Sequence, residues 1–279
     1  MINGGRGMRV VAVFGGGGAK GLAHAGAWRA LVEAGLTPGH IVGTSMGAVV
    51  GAAFAAGSTY DGFVAAARQL RSSDVAAVDP IAFVAGVFTS HLFRAAPLHR
   101  TIGRLVPATR FGDLRIPLTI TTTDVDSGDL VLYGSLGNDA PLVDALYASC
   151  ALPLYYPAAQ IDGHRLADGG LRAVLPLEVA RRVPADLVVA ISVGPGFDEP
   201  PADRKAAIPA MIRAHGEAIR VMMAAQTERA IAAWPPDAPR LIVVRAVAER
   251  EATFAVGSGE RFLDAGYRTT RAALAGVTT

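Results

Sequence analysis

Three short stretches of this chain hold residues whose types and spacing could do chemistry. Gly43-Thr44-Ser45-Met46-Gly47 fits G-x-S-x-G. In that pattern a serine sits on a sharp strand-to-helix turn, and small neighbours let the backbone fold tightly around it. Upstream, Gly15, Gly16, Gly17 and Gly18 stand together, followed by Ala19 and Lys20. Glycines let backbone N–H groups turn toward a ligand with no Cβ in the way, and such a nest stabilises anions, including the transient oxyanion of acyl transfer. A serine hydroxyl also needs a base. Asp168, in Leu166-Ala167-Asp168-Gly169-Gly170, ends an expected strand where two glycines again clear space.

Other readings of these stretches stay open. Gly16–Gly21 also fits G-x-G-x-x-G. The dinucleotide fingerprint further needs an acidic residue at the end of the second strand, and this chain has Gly43-Thr44-Ser45 there. The Walker A pattern fails because Gly21, not Ser or Thr, follows Lys20. A tight turn without a ligand, a serine that only caps a helix and an aspartate in an ordinary turn are the plainer alternatives. A Ser–Asp–His triad would place a histidine after the aspartate. Only His215 lies beyond Asp168, in a helical stretch with no glycine turn. His24 reads as a packing residue of the first helix, and His164 as a neighbour of the aspartate turn. Lys20 is one of two lysines among 26 basic residues, with Lys205. Its candidate roles are to add to the anion-stabilising field, to tie the loop to acceptors, or simply to sit in solvent.

The elements that would carry these residues follow from hydrophobic patterning. Val10–Phe14 is a continuous apolar run and reads as a strand buried on both faces. A helix follows over Lys20–Ala34, ended by Gly35. Ile41–Val42 is a second short strand that enters the serine turn, and an apolar helix runs from it to Ala56. Two strand–turn–helix units in succession start an α/β fold with a parallel sheet. Phe63–Val106 is mostly helical in composition, with breaks at Pro80, Gly86 and Pro97. Ile116–Val125 reads as a strand, with Gly128–Gly134 its hairpin partner. Leu142–Cys150 is helical, His164–Gly170 takes a strand into the aspartate turn, and Leu187–Val193 is another buried strand. A long amphipathic helix follows Pro200–Pro201 and ends near Trp234. A strand at Arg240–Val247 and a helix over Gly259–Leu274 complete the pattern. Residues 8–275 read as one domain behind a short extension, 1–7. The apolar stretch Ile81–Phe93 is either an acyl-chain wall or lid, or core.

Composition narrows the function classes. Hydrophobic residues make up 51% of the 279 and charged residues 18%, with a net charge of +2, so no polyanion-binding footprint shows and no nucleic-acid partner is expected. One cysteine, Cys150, excludes an intramolecular disulfide. No calcium loop or metal-ligand cluster shows, so neither metal nor cofactor is expected. Without a signal peptide or a run of about 20 apolar residues, the expectation is a cytoplasmic protein able to touch a membrane peripherally.

Together the motifs resemble those of the patatin-like phospholipases, the bacterial branch most closely. GGGGAKGLAHAGAWRALVEAG looks like the family's oxyanion block and IVGTSMGA like its nucleophile block. ASCALPLYYP looks like its third block, and ADGG like its Asp-Gly-Gly/Ala block. The resemblance implies a three-layer α/β/α fold with a mainly parallel sheet and a Ser–Asp dyad without histidine. It makes Ser45 the nucleophile and Asp168 the base, with oxyanion donors within Gly16, Gly17, Gly18 and Ala19, beside Lys20. The implied activity is ester hydrolysis on lipid or acyl-ester substrates through an acyl-enzyme. A catalytically weak lipid- or acyl-binding regulator on the same fold is the alternative. One departure stands out: the family often has Asn after Asp-Gly-Gly and before a proline, where this chain has Ala173 and Val174 ahead of Pro176.

Overall fold

The computed structural model describes residues 7–80, 91–197, 210–247 and 258–277. Its centre is one sheet built on β1 (Val10–Phe14), β2 (His40–Thr44), β3 (Leu118–Asp124), β4 (Leu130–Gly134), β5 (Ala159–Ile161), β6 (His164–Asp168), β7 (Leu187–Ser192) and β8 (Arg240–Arg245). The strand order is β5-β6-β3-β2-β1-β7-β8, with β4 also paired to β3. From β3 through β2, β1 and β7 to β8 every pairing is parallel. The pairs β3–β4, β3–β6 and β5–β6 are antiparallel.

Alternation along the central strands feeds two cores, one on each face. Val10, Ala12 and Phe14 of β1 join Leu187, Val189 and Ile191 of β7 in the larger one. There they meet α1 (Ala23–Glu33), α2 (Met46–Ala55), α5 (Ala95–Leu105), α6 (Leu142–Cys150) and α9 (Gly259–Ala273). Two further helices, α3 (Tyr60–Arg68) and α4 (Ser72–Val75), add Phe63, Val64, Ala67 and Val75. Val11, Val13, Val42, Val188 and Ala190 point the other way. They pack on α7 (Leu177–Ala180) and on Ala230 and Ile231 near the end of α8 (Ala210–Ala232). The result is the α/β/α layering that the resemblance implied. In α2 every residue but Met46 is buried, as expected of a helix apolar all round.

Some boundaries differ from the sequence reading. The expected helix from Lys20 begins as a 3₁₀ turn, Gly18–Leu22, before α1. Strand β5 was not expected: at three residues it is too short to show a pattern. It reaches β6 through Asp162 (φ 50) and Gly163 (φ 82), a two-residue Asp-Gly turn of the kind that matches strand twist. Within the stretch 63–106, Val78 bridges Phe93. Residues 81–90 of the Ile81–Phe93 stretch lie outside the described residues, as does the start of the long helix after Pro200–Pro201. At the near end of that stretch, Leu92 and Phe93 donate N–H groups to the carbonyls of Leu154 and Tyr155.

Strand β3 does most to position the site. On one edge it pairs along its length with β4, from Thr119 to Thr123. On the other edge it is shared. β2 pairs with its first half, ending at Thr44 opposite Thr121. β6 pairs antiparallel with its second half, ending at Asp168 opposite Thr122. The carboxyl ends of β2 and β6 therefore meet head to head at adjacent positions of one strand.

Candidate active site

Ser45 follows β2 directly and caps α2, with φ 54 and ψ −131. Positive φ is uncommon for a residue with a side chain, and here it makes the sharp strand-to-helix turn that the G-x-S-x-G pattern led one to expect. The turn is possible because its neighbours are small. A Cβ on Gly47 would stand 2.3 Å from the Phe14 carbonyl oxygen, so the first turn of α2 lies directly on the end of β1. Gly43 packs as closely on Ala48, Thr44 is fully buried, and Met46 lies against Gly21 of the glycine loop.

The Ser45 hydroxyl donates to Asp168 Oδ2 at 2.7 Å. Asp168 holds its own turn, because its Oδ1 accepts the Gly170 N–H at 2.7 Å. Its main-chain N–H donates to the Ala151 carbonyl at 3.0 Å, and its carbonyl accepts from Thr123 Oγ1 at 3.0 Å. Gly169 lies against the Thr121 carbonyl, where a Cβ would not fit. Ser45 and Asp168 are 9% and 5% exposed. Burial pushes the Asp168 carboxyl up to about 6, and the Gly170 N–H and the Ser45 hydroxyl pull it part of the way back.

The glycine loop leaves β1 beside Ser45. Its first two N–H groups are committed to structure: Gly15 donates to the Ile191 carbonyl at 3.1 Å and Gly16 to the Val174 carbonyl at 2.9 Å. Among the described residues the N–H groups of Gly17 and Gly18 meet no acceptor. Ala19 and Lys20 continue into the 3₁₀ turn and are both buried, so Lys20 is not the solvated lysine that the sequence left open. His24 lies under this loop. Its Nε2–H donates to the Gly15 carbonyl at 2.8 Å and its ring stacks on Phe14 at 4.8 Å. Burial drops this imidazole to about 4, partly offset by that hydrogen bond, so it is neutral and structural at ordinary pH.

No histidine touches the Asp168 carboxylate among the described residues; its partners are Ser45 and Gly170. His215 sits on α8. His164 does not border the aspartate turn. It occupies the opposite end of β6, where Nδ1 meets Asp124 Oδ2 at 2.7 Å.

Sequence reasoning did not foresee three supporting contacts. Ser149 Oγ accepts the Ser45 N–H at 2.8 Å and donates to the Thr121 carbonyl at 2.7 Å. Thr44 Oγ1 donates to the Ala173 carbonyl at 2.8 Å and lies 2.7 Å from Thr121 Oγ1. The third is the bond from Gly16 to Val174. Ala173 and Val174 stand where the resemblance implied Asn. Their main-chain carbonyls tie this segment to β2 and the glycine loop, which no side-chain pattern could reveal. Met223 and Gln226 of α8 complete the surroundings, Met223 reaching Gly170 and Gln226 Nε2 donating to the Leu171 carbonyl.

Comparison with known proteins places the chain in a family. A family model described as patatin-like phospholipase matches residues 12–181, a span that contains the glycine loop, the elbow and the Asp168 turn. An uncharacterised NTE family protein of Mycobacterium tuberculosis is 35% identical over 206 residues, covering 72% of this chain and 54% of its own. The human patatin-like phospholipase domain-containing protein 6 is 33% identical over 190 residues, covering 67% of this chain and 14% of its own. The chain thus spans about half of the mycobacterial relative and a small part of the human one. Among solved structures, VipD from Legionella pneumophila superposes with a TM-score of 0.52 over 97% of this chain and 67% of its own, at 14% identity, a likeness of fold. With the family model covering more than half of its length, the chain belongs to the patatin-like phospholipase family.

Proposed function

We propose that the chain is a serine acyl hydrolase that cleaves carboxylic esters of lipids through a Ser45–Asp168 dyad and an acyl-enzyme. The observation that carries this reading is the 2.7 Å bond from the Ser45 hydroxyl to a buried carboxylate that has no histidine beside it. Ser45 Oγ attacks the ester carbonyl carbon as Asp168 Oδ2 takes its proton, and the carbonyl electron pair moves onto oxygen. The N–H groups of Gly17 and Gly18 hold that oxyanion, since Gly16 gives its N–H to Val174. The positive end of α2, which Ser45 caps, favours the same charge. As the intermediate collapses, the ester C–O bond breaks and the alcohol leaves with the proton from Asp168. Water then attacks the acyl-enzyme, gives its proton to Asp168, and the acid departs as Ser45 recovers its own.

An ordinary aspartate is too weak a base for this work. Burial answers that by raising Asp168 to about 6. Only the carboxylate can accept the proton, so kcat/KM should fall about tenfold per pH unit below this value and level off above it. A stopped-time pH series between about 4 and 8 (roughly two units to either side of the midpoint) measures the profile. An inflection near 7 to 8 instead would point to a histidine or another group as the base.

The lipid character of the substrate is supported by family membership. Val221 and Met222 of α8 and Phe197 beyond β7 are exposed apolar side chains. No described helix is long and apolar enough to cross a membrane. Hydrolysis of p-nitrophenyl esters across acyl lengths, by wild type beside Ser45→Ala, tests the activity. Turnover that rises with acyl length and vanishes in the variant supports the reading. A wild type inert on every length favours the lipid-binding alternative.

A further inference from the structure

The third motif block has no place in the chemistry above, yet its first residues touch both members of the dyad. Ser149 and Cys150 end α6 and Ala151 follows. Ser149 Oγ takes the Ser45 N–H, and the Ala151 carbonyl takes the Asp168 N–H. The Cys150 thiol between them interacts with the Ser45 side chain and with the Asp168 charge, and burial raises it well above the usual thiol range. One helix end thus holds the main chains of nucleophile and base together.

We propose that Ser149 is a positioning residue for the reaction: its hydroxyl fixes the Ser45 main chain in the strained turn from which Oγ reaches Asp168. The inference rests on the dyad reading above. A hydroxyl has one proton, and here it goes to the Thr121 carbonyl, so the lone pairs of Oγ face the Ser45 N–H. Thr121 is the β3 residue opposite Thr44, next to the one opposite Asp168. Ser149 therefore anchors the elbow at the point of β3 where β2 and β6 meet. The bond offsets the unfavourable φ of 54 at Ser45. Ser149 itself is fully buried, so no water can replace its hydroxyl without a rearrangement. An ordinary buried serine in a helix bonds its own preceding turn; this one bonds a nucleophile's N–H and a neighbouring strand.

Ser149→Ala leaves the Ser45 N–H and the Thr121 carbonyl unpaired, and the turn relaxes. The expected result is a kcat lower by roughly ten- to a hundredfold, with KM little changed. Labelling of Ser45 by a fluorophosphonate should slow by a similar factor. The pH midpoint should hold or rise slightly, because a loosened Ser45 hydroxyl lowers the Asp168 carboxyl less. Ser149→Thr, which keeps the hydroxyl, should recover most of the loss. Ser149→Cys, which keeps the volume and weakens the bond, should fall between. Equal kcat and labelling in wild type and the alanine variant would overturn the proposal. So would a loss that follows only the unfolded fraction and is not recovered by threonine. If the alanine variant does not fold, the cysteine variant decides, and an unchanged kcat there overturns it. Failure of the dyad reading looks different, because the wild type itself would then escape labelling or Ser45→Ala would stay active.

Discussion

Asp168→Asn should give a protein that is folded, more stable than the wild type at neutral pH and nearly inert. The amide matches the site in shape: its oxygen can accept the Gly170 N–H and its nitrogen can donate to Ser45 Oγ, so both contacts of the carboxylate have a counterpart. What it cannot do is take the serine proton, and kcat should fall by about 10⁴-fold or more, as when a base is removed from other hydrolytic sites. The stability change has a definite sign. Burial raises the folded-state value to about 6 from an ordinary 3.8, so the folded protein binds this proton more tightly than the unfolded chain does. The stabilisation is complete below the unfolded value and is lost as pH rises through about 6. At pH 7 and above the wild type lacks stabilisation on the order of 3 kcal/mol that the neutral amide never loses. Thermal midpoints at pH 5 and pH 8 should show the variant's advantage growing with pH. A variant that loses stability at pH 8, or keeps wild-type turnover, would contradict both the burial argument and the role of the carboxylate.

Gly17→Ala should lower kcat by roughly 10²- to 10³-fold, the range for losing one oxyanion donor. A Cβ at this position would stand 2.5 Å from the Val193 carbonyl oxygen and 2.9 Å from its carbonyl carbon. Val193 directly follows β7, whose neighbour β1 carries the loop, so the wall is backbone and does not yield. The loop must move instead, carrying the Gly17 and Gly18 N–H groups away from Ser45. A misplacement of about 1 Å can lower a rate by about 10²-fold without altering any reacting group. Overpacking should also destabilise the fold by about 1–3 kcal/mol. Gly16→Ala is the matched control. Its Cβ would meet the Thr44 methyl at 3.3 Å, a side-chain contact that can give way, and its N–H already serves Val174. Its loss in kcat should be much smaller. Equal losses in the two variants would mean that Gly17 and Gly18 are not the donors.

The parts of this molecule that local pattern controls were readable in the sequence. Val10–Phe14 and Leu187–Ser192 are runs buried on both faces, and such runs announce central parallel strands. The glycine loop and G-x-S-x-G showed as residue types at fixed spacing, because the close approach at Gly47 and the turn at Ser45 tolerate little else. What was hidden is non-local. Nothing in His164–Asp168 says that it will run head to head with β2 along β3, though that pairing is what brings Asp168 to Ser45. Ser149 is the one serine of a mostly apolar helix, and its partners are 104 and 28 residues away. The carbonyls of Ala173 and Val174 act through the main chain, which leaves no mark on side-chain identity. His164 was misplaced because closeness in sequence to the aspartate turn is distance along an extended strand.

The most direct measurement is to treat the native protein with a fluorophosphonate, digest it, and locate the adduct by mass spectrometry, with Ser45→Ala alongside. The dyad account predicts one adduct, on Ser45, formed more slowly as pH falls below about 6 and absent from a folded Ser45→Ala protein. An adduct on another serine, or labelling that persists in the variant, would contradict it.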